Sequence, residues 1–459
     1  MSDTRQSKTS KATPIHLLHE SRFDAWLSSA SPLIQNWVAA HAFKAASGKH
    51  LVAPGSDGAI DCVIVGVSDP MILWDTGSLA KALPVGSYAL AGDYSPAEGE
   101  AALLGWLLGS YEFDRYKTAA PATAILEIPS GIDAKQVNAI HDATRLVRDL
   151  VNTPANDLGP SALAAAAESL AKEFAADCKI IVGDDLLTQN YPAVHAVGRA
   201  ASDAPRLIEM TWGNPAHPTI ALVGKGVCFD SGGLDIKPAA GMKLMKKDMG
   251  GAAHVLGIAH CIMALKINVH LKVLIPAVEN AISGNAMRPL DVVKTRAGIT
   301  IEIGNTDAEG RVILADALAR AAESNPTLII DFATLTGAAR VALGTELPAL
   351  FCNDDSFAQD ILAAGDRAAD PLWRMPLWPG YRKMIEGKVA DITNSPEGGF
   401  AGAITAALFL ERFVPAGILW AHLDIMAWNV ASKPGRPEGG EALCLRTMTD
   451  MLLTKYGRT

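Results

Sequence analysis

Short apolar runs and longer alanine- and leucine-rich stretches alternate along most of this chain. The apolar runs carry many β-branched residues and have the length of buried β-strands; they lie at residues 180–182, 206–212, 219–223, 269–275, 327–332 and 417–423. Three of the intervening stretches follow a helical pattern, at residues 161–174, 252–265 and 312–323. This alternation is typical of βαβ units, so it predicts an α/β fold with a mostly parallel central sheet covered by helices.

In the first third of the chain the pattern of apolar runs is different, and it predicts a second, smaller α/β domain. Three short runs there have the apolar character of strands, at residues 62–67, 71–74 and 124–128. A charged helical pattern follows at 134–151, and Pro154 disfavours a helical conformation at the residue before it, so this connecting helix should end there. We therefore predict an N-terminal domain over residues 1–150, which begins with a disordered tail, and a larger domain over residues 151–459.

The composition mainly excludes other classes of protein. A length of 459 residues exceeds one ordinary core, and 49% apolar with 19% charged residues is the balance of a globular protein. The net charge of −9 disfavours nucleic-acid binding, because such surfaces need clustered lysine and arginine. The polar N-terminus does not resemble a signal peptide, and no apolar run is long enough to span a membrane. Six scattered cysteines without a CxxC pair favour free thiols in a reducing compartment, so we predict a cytoplasmic location.

Two segments concentrate charged residues among glycines at the ends of predicted strands. The first covers residues 223–251 and contains Lys225, Asp230, Lys237 and Asp248. Charges at the end of a buried strand are costly unless they bind something. In open α/β sheets, ligands bind in the crevice at the carboxyl ends of the strands, which is where this segment should lie.

The second segment, Asn305-Thr-Asp-Ala-Glu-Gly-Arg, lies between a predicted strand and the helical pattern that follows it. Its Asp307 and Glu309 are two residues apart and face the same way in an extended stretch, where their charges repel unless a proton or a cation is present. With Asp230 and Asp248 they form a set of four carboxylates that suits two divalent ions. Manganese, magnesium, cobalt and zinc all fit such a set.

Several neighbouring patterns have plainer interpretations. The Gly224-x-Gly226 turn lacks the third glycine of a dinucleotide-binding fingerprint, and the sequence contains no P-loop and no HExxH motif. The eleven histidines are scattered, and we interpret them as packed or capped residues rather than ligands. Four further charged residues are interpreted as surface charges: Asp235, Lys243, Lys246 and Lys247.

Together the two segments resemble the leucine aminopeptidase family, the M17 metallopeptidases. The string at 305–311 matches that family's signature without a break, and the series from Lys225 to the glycine pair after Asp248 agrees in residue type and spacing. Further similarity runs through Ala333-Thr-Leu-Thr-Gly-Ala, Ala401-Gly-Ala-Ile-Thr-Ala-Ala and His422-Leu-Asp-Ile, and it covers about residues 150 to 455. The resemblance implies an enzyme, usually a homohexamer, that removes single residues from the free N-terminus of peptides.

The resemblance also implies a metal centre with manganese or zinc as its two divalent ions. The implied ligands are Lys225, Asp230, Asp248, Asp307 and Glu309. A lysine coordinates only as a neutral amine, and two nearby cations together with partial burial lower its pKa enough to supply that form. A hydroxide bridging the two ions would attack the scissile carbonyl.

Six other residues take implied roles in catalysis and substrate binding. Lys237 would stabilise the oxyanion of the tetrahedral intermediate, and Arg311 would hold a bicarbonate that acts as the general base. The implied substrate-binding residues are Met245, Asn305, Thr334 and Leu335. Among these, Met245 and Thr334 would help to form an apolar pocket for the first side chain of the peptide. The chain has Met426-Ala427-Trp428 where the family has smaller residues, which would reshape this pocket unless these side chains pack in the core.

Two other functions stay open on the sequence. A DNA-binding or regulatory protein built on the peptidase fold would need a basic groove, whereas the basic residues of the N-terminal third cluster only in its tail. A different two-metal hydrolase, such as a phosphoesterase, would usually add histidine ligands, and neither charged segment contains a histidine.

Overall fold

The computed structural model describes residues 12–117 and 124–457; the first eleven residues, and with them the predicted disordered tail, lie outside this part. Tertiary contacts divide the chain into two compact units. The first unit extends to His141 and includes Ala431–Glu438, and the second comprises Asp142–Val430 and the chain from Gly439 onward. The division thus falls inside the connecting helix instead of at its end, and a short segment from late in the sequence belongs to the first unit.

The first unit is built on a five-stranded sheet. Its strands are β1 (Thr13–Leu18), β2 (His50–Pro54), β3 (Ile60–Gly66), β4 (Ser87–Ala91) and β5 (Ile125–Leu126). They lie in the order β2-β3-β1-β4-β5, and only the β2–β3 pair is antiparallel. The helices that begin in this unit are α1 (Glu20–Ser29), α2 (Pro32–Ala40), α3 (Leu79–Ala82), α4 (Pro96–Gly109) and the connecting helix α5 (Ala134–Asn152).

The strand predicted at residues 71–74 is wrong. The chain forms a 3₁₀ turn at Leu73–Asp75 instead. The buried Asp75 carboxylate accepts hydrogen bonds from the amides of Ile72 at 3.1 Å and Ser68 at 3.0 Å. Amides that donate to a nearby side chain cannot join a sheet ladder, so this local bonding replaces the strand.

The second unit contains a nine-stranded sheet. Its strands are β6 (Asp177–Val182), β7 (Arg206–Trp212), β8 (Thr219–Gly224), β9 (Gly226–Asp230), β10 (His270–Asn280), β13 (Leu328–Ala333), β14 (Ala349–Cys352), β15 (Trp373–Arg374) and β17 (Leu419–Asp424). The order is β15-β14-β17-β13-β8-β10-β7-β6, with β9 paired to β10. The central strands are parallel, and antiparallel pairs occur at β14–β17, β10–β7 and β7–β6. The predicted α/β fold with a mostly parallel central sheet is confirmed.

Small sheets and helices complete the second unit. The remaining strands are β11 (Val292–Lys294), β12 (Thr300–Glu302), β16 (Ile392–Thr393), β18 (Trp428–Asn429) and β19 (Gly439–Gly440). The helices are α6 (Pro160–Glu173), α7 (Asp185–Thr188), α8 (Pro192–Gly198), α9 (Ala239–Met242), α10 (Gly250–Ala264), α11 (Glu309–Ala322), α12 (Gly337–Leu343), α13 (Asp355–Arg367), α14 (Gly402–Glu411) and α15 (Leu445–Tyr456). Two 3₁₀ segments, Met245–Met249 and Pro379–Ile385, precede α10 and α14 respectively.

Helix α10 fixes the charged segments against the sheet. Every residue from Gly250 to Met263 is buried, as expected for a helix in the centre of a large core. Its first turn approaches β13 so closely that a Cβ at Gly251 would lie 2.0 Å from the carbonyl oxygen of Phe332. His254 in the same helix has its Nδ1 2.6 Å from the carbonyl of Gly250, and its Nε2 accepts the amide N–H of Leu443 at 2.9 Å. Burial lowers the pKa of His254 to about 4, so this histidine is a neutral, fully bonded core residue.

Candidate active site

The predicted site residues lie together at the carboxyl ends of the central parallel strands. Lys225 follows β8, Asp230 ends β9, and Thr334 with Leu335 follows β13. Asp248 lies on the 3₁₀ turn before α10, and Glu309 is the first residue of α11. The strand ends meet at one edge of the sheet, and the positive end of the α11 dipole stabilises a carboxylate at its first turn.

Thr306 ties the two charged segments to each other. Its hydroxyl donates to the carbonyl of Gly232 at 2.6 Å and accepts the amide N–H of Asp235 at 2.9 Å. In return, the amide of Thr306 donates to Oδ2 of Asp235 at 2.8 Å. Gly232 has φ +90°, a conformation that favours glycine, and this lets the loop turn back toward Thr306. These hydrogen bonds therefore join the two charged segments, which are more than 70 residues apart in the sequence, and fix the positions of their carboxylates relative to each other.

Two lysines lie between the four carboxylates. Nζ of Lys225 is 2.6 Å from Oδ2 of Asp248 and 2.9 Å from Oε1 of Glu309. Nζ of Lys237 is 2.8 Å from Oδ2 of Asp230 and also pairs with Asp307.

The carboxylate oxygens fit a divalent metal centre. Asp230, Asp307 and Glu309 each present one oxygen, and these oxygens lie within 4.8 Å of one another. Among the described residues, Oε2 of Glu309 has no hydrogen-bond donor, while Oε1 of Glu309, Oδ2 of Asp248 and Oδ1 of Asp307 contact only the lysine ammonium groups. Buried carboxylate oxygens normally have hydrogen-bond partners, and oxygens left for a cation are the usual exception. Hard and borderline divalent ions are the cations that such oxygen-rich sets prefer.

Burial and neighbouring charges shift the pKa values of Glu309, Asp307 and Lys225. Burial, and then the Asp230 carboxylate, raise the pKa of Glu309 to about 8. Burial and Asp230 likewise raise the pKa of Asp307. For Lys225, burial lowers the pKa, but Asp248, Glu309 and Asp230 outweigh it and raise the pKa overall. The neutral amine that the resemblance implies for Lys225 therefore requires two cations whose charge offsets these carboxylates.

Arg311 is held at the side of the cluster by a residue that the sequence did not single out. Its Nη1 donates to the carbonyl of Asn394 at 2.7 Å, while its buried Nε has no acceptor in the part of the chain that the structure describes. The Asn394 side chain accepts the amide N–H of Gly304 at 2.8 Å and donates to the carbonyl of Asn305 at 2.7 Å. Asn394 therefore orients both Arg311 and the signature loop.

The cluster opens into a cavity of about 360 Å³. Ten of the predicted site residues line this cavity: Lys225, Asp230, Lys237, Met245, Asp248, Asn305, Asp307, Arg311, Thr334 and Leu335. Glu309 is not among its lining residues and is fully buried at the start of α11. Met426 and Trp428 are likewise absent from the lining, and the Trp428 ring contacts the Lys246 ammonium at 5.3 Å instead.

Two further polar residues hold the site, and neither was predicted. The Asn280 side chain, at the end of β10, donates to Oδ1 of Asp230 at 2.8 Å and to the carbonyl of Thr306 at 3.1 Å. The Asp424 carboxylate, at the end of β17, accepts the amide N–H groups of Leu335 and Thr336 at 3.0 and 3.2 Å. Their positions at strand ends were the only signal in the sequence, and many other residues share it.

The interpretation of Lys247 as a surface charge is wrong. The residue is 1% exposed and lines the cavity next to Asp248. It shares this cavity with Met245, whereas the neighbouring Lys246 donates to the carbonyl of Asn152 at 2.6 Å. Burial lowers the pKa of Lys247 to about 8, although it lies beside the Asp248 carboxylate.

Comparisons with known proteins agree with this arrangement over nearly the whole chain. The family model for the catalytic domain of the cytosol aminopeptidase family matches residues 145–449, and the model for the N-terminal domain of M17 aminopeptidases matches residues 13–129. The chain belongs to the cytosol aminopeptidase family, M17. The family predicted from the two charged segments, and the enzyme class with it, are confirmed.

The chain is also similar to curated proteins and to solved structures. The probable cytosol aminopeptidase of Roseiflexus castenholzii is 43% identical over 76% of this chain and 75% of its own length. That of Chlorobium limicola is 36% identical over 89% of this chain and 90% of its own. The crystal structure of the Coxiella burnetii cytosol aminopeptidase has a TM-score of 0.94 at 51% identity and covers 98% of both chains. The bottromycin maturation enzyme BotP, solved in complex with Mn, has a TM-score of 0.86 at 35% identity, over 97% of this chain and 100% of its own.

Within residues 12–117 and 124–457, no helix of this M17 protein combines the length and the hydropathy needed to cross a bilayer.

Proposed function

We propose that this chain is a metal-dependent aminopeptidase that releases N-terminal amino acids from peptides. The observation that carries the proposal is the convergence of the Lys225 amine with Asp248 and Glu309, beside Asp230 and Asp307, in a cluster where three carboxylate oxygens lie within 4.8 Å of one another. Lys225, Asp230, Asp248, Asp307 and Glu309 would hold two divalent ions. The Mn described for BotP supports manganese, and zinc suits the same ligands.

The chain's own residues have separate tasks in this proposal. Bound at these carboxylates, the two ions would supply Lewis acidity and a water of lowered pKa. Lys237, whose Nζ lies 2.8 Å from Oδ2 of Asp230 at the edge of the cluster, would stabilise the oxyanion as an ammonium. Arg311 has a free buried Nε that would hold a bicarbonate, which would accept a proton from the attacking water.

The test measures release of p-nitroaniline from amino-acid p-nitroanilides with added Mn²⁺ or Zn²⁺. Lys237→Met should lower kcat by about 10²- to 10³-fold, because one preorganised oxyanion donor contributes on that scale. Glu309→Gln should reduce the bound metal as measured by elemental analysis. Lys243→Met removes an exposed lysine that does not line the cavity, and it should leave both quantities unchanged.

Three outcomes would contradict the proposal. One is the absence of turnover of any free-amine substrate by protein that holds two metals per chain. Another is full activity in Lys237→Met. The third is hydrolysis of a phosphate ester in preference to the anilides, which would favour the other two-metal hydrolases.

We further propose that the chain acts in the cytoplasm as a homohexamer. Light scattering coupled to size exclusion would test the oligomeric state, and a monomer at micromolar concentration would contradict it. A DNA-binding or regulatory role on the same fold would appear as retained binding of duplex DNA at 0.15 M salt, which the net charge of −9 disfavours.

A further inference from the structure

Lys247 is a fully buried cation that the proposed chemistry does not use. It lies on the turn Met245–Met249, two residues after Met245 and directly before the ligand Asp248. Its side chain lines the cavity, and its Nζ has no hydrogen-bond partner among the residues that the structure describes. A buried ammonium without an acceptor is costly, so its retention inside a core calls for a partner that arrives from the cavity.

The carboxylates that face Lys247 are already engaged elsewhere. Asp248 pairs with Lys225, and its other oxygen accepts the Thr334 hydroxyl at 2.7 Å. Asp424 accepts the hydroxyl of Thr336 at 2.6 Å in addition to two backbone amides. Neither carboxylate therefore accepts a hydrogen bond from the Lys247 ammonium. In the described ranges, no carboxylate oxygen lies within 4.0 Å of Nζ of Lys247 in an ion pair.

A second cation increases the positive charge of the same cavity. Arg340, in the last turn of α12, lines the cavity, and its buried Nη1 has no acceptor within the described part of the chain. Two divalent ions would balance the four carboxylates of the metal centre. Lys237 would then face the oxyanion and Arg311 the bicarbonate, which leaves Lys247 and Arg340 for an anionic group of the substrate.

We infer that the pocket for the first side chain of the peptide accepts an acidic residue, with Lys247 as the specificity-determining residue that binds its carboxylate. The inference rests on the proposed aminopeptidase function. Met245 and Thr334 are the residues predicted for that pocket, and they line the same cavity as Lys247, so the Lys247 ammonium is available to a side chain bound there. Arg340 adds positive potential around the same carboxylate.

The test compares substrates that differ by one charged group. Kinetics with L-glutamyl-, L-glutaminyl- and L-leucyl-p-nitroanilide contain no second residue, so only the first side chain can supply a carboxylate. A charge-assisted hydrogen bond in a desolvated pocket should favour glutamyl over glutaminyl by about 10- to 100-fold in kcat/KM. The Lys247→Met variant, which preserves chain length without the charge, should abolish this preference. Lys243→Met, an exposed change in the same loop, should preserve it.

Binding supplies a second readout that does not depend on turnover. Calorimetric titration of the Mn-loaded protein with L-glutamate and L-glutamine measures the products of the two substrates. Glutamate should bind about 10-fold or more tightly than glutamine to the wild type and no more tightly to Lys247→Met. These ratios are independent of how much of the variant folds, because both ligands are compared on the same preparation.

The outcomes separate this inference from the function on which it rests. Turnover of the glutaminyl and leucyl anilides without a preference for glutamyl would overturn the acidic pocket and leave the aminopeptidase intact. A glutamyl preference that survives in Lys247→Met would overturn the assignment to Lys247. Failure to hydrolyse all three anilides would remove the aminopeptidase and the acidic pocket together.

Discussion

Asn280 offers the sharpest test of how the protein orients its metal ligands. Its Nδ2 donates to Oδ1 of Asp230 at 2.8 Å, and the side chain is buried. In Asn280→Ala, this oxygen keeps only the amide N–H of Gly232 at 2.9 Å, so the carboxylate can rotate away from Asp307 and Glu309. A hydrogen bond to a charged group contributes about 1.5–3 kcal/mol, which corresponds to roughly 10- to 150-fold in affinity.

We therefore expect Asn280→Ala to bind Mn²⁺ about 10- to 100-fold more weakly than the wild type, in line with other groups that orient metal ligands. Competition with a fluorescent chelator measures this affinity, and kcat at saturating Mn²⁺ should recover much of the wild-type value.

The matched control is Asn353→Ala. The Asn353 side chain also makes two hydrogen bonds at 2.9 Å, to the carbonyl of Ile418 and from the amide of Trp420, but it does not line the cavity. This variant should lose stability and keep its affinity for Mn²⁺. Unchanged Mn²⁺ affinity in Asn280→Ala, or an equal loss in both variants, would refute the reasoning.

Three further predictions follow from close contacts and buried charges. Gly310→Ala would place a Cβ 2.5 Å from Cε of Lys225, so this ligand must shift, and we expect kcat to fall on the order of 100-fold in the p-nitroanilide assay. Arg148→Met should lower the free energy of unfolding by about 3–5 kcal/mol in urea, because it removes the buried ion pair in which Arg148 bonds Glu441, which is 1% exposed, at 3.1–3.2 Å. The native pKa of His254 is depressed from 6.5 to about 4, so the unfolded state alone gains this proton as the pH falls below 6.5. His254→Gln should therefore reduce the loss of stability between pH 6.5 and 4 by up to about 3 kcal/mol, measured as urea unfolding at several pH values.

Each of these has its own control. Gly284→Ala adds a Cβ with no atom within 4 Å among the described residues, so a similar loss of kcat there would contradict the contact argument for Gly310. The double variant Arg148→Met/Glu441→Met should regain part of the lost stability, and no recovery would argue against an unpaired charge as the cause. For His254, parallel pH profiles of wild type and variant would exclude its contribution to acid unfolding.

Local patterns were sufficient for the elements and for the types of residue at the site. Helices α6, α10 and α11 appear within a few residues of their predicted bounds, because apolar periodicity is a property of neighbours in the sequence. The metal-ligand candidates were also visible locally, since charged residues among glycines at strand ends are costly without a ligand. The strand predicted at 71–74 failed because the Asp75 side chain competes for backbone amides, which apolarity alone does not reveal.

The sequence by itself determined the α/β architecture, the family and the chemistry of the charged segments. Only the tertiary structure decided which distant residues complete the site. Asn280 reaches Asp230 across 50 positions, at strand ends that become neighbours only when the sheet forms, and the carbonyl of Asn394 reaches Arg311 of helix α11 across 83. The burial of Lys247 was decided in the same way, because one turn of 3₁₀ helix directs Lys246 to Asn152 and Lys247 into the cavity. Spacing along the chain specifies residue types, whereas the direction and burial of a side chain depend on packing between segments far apart in sequence.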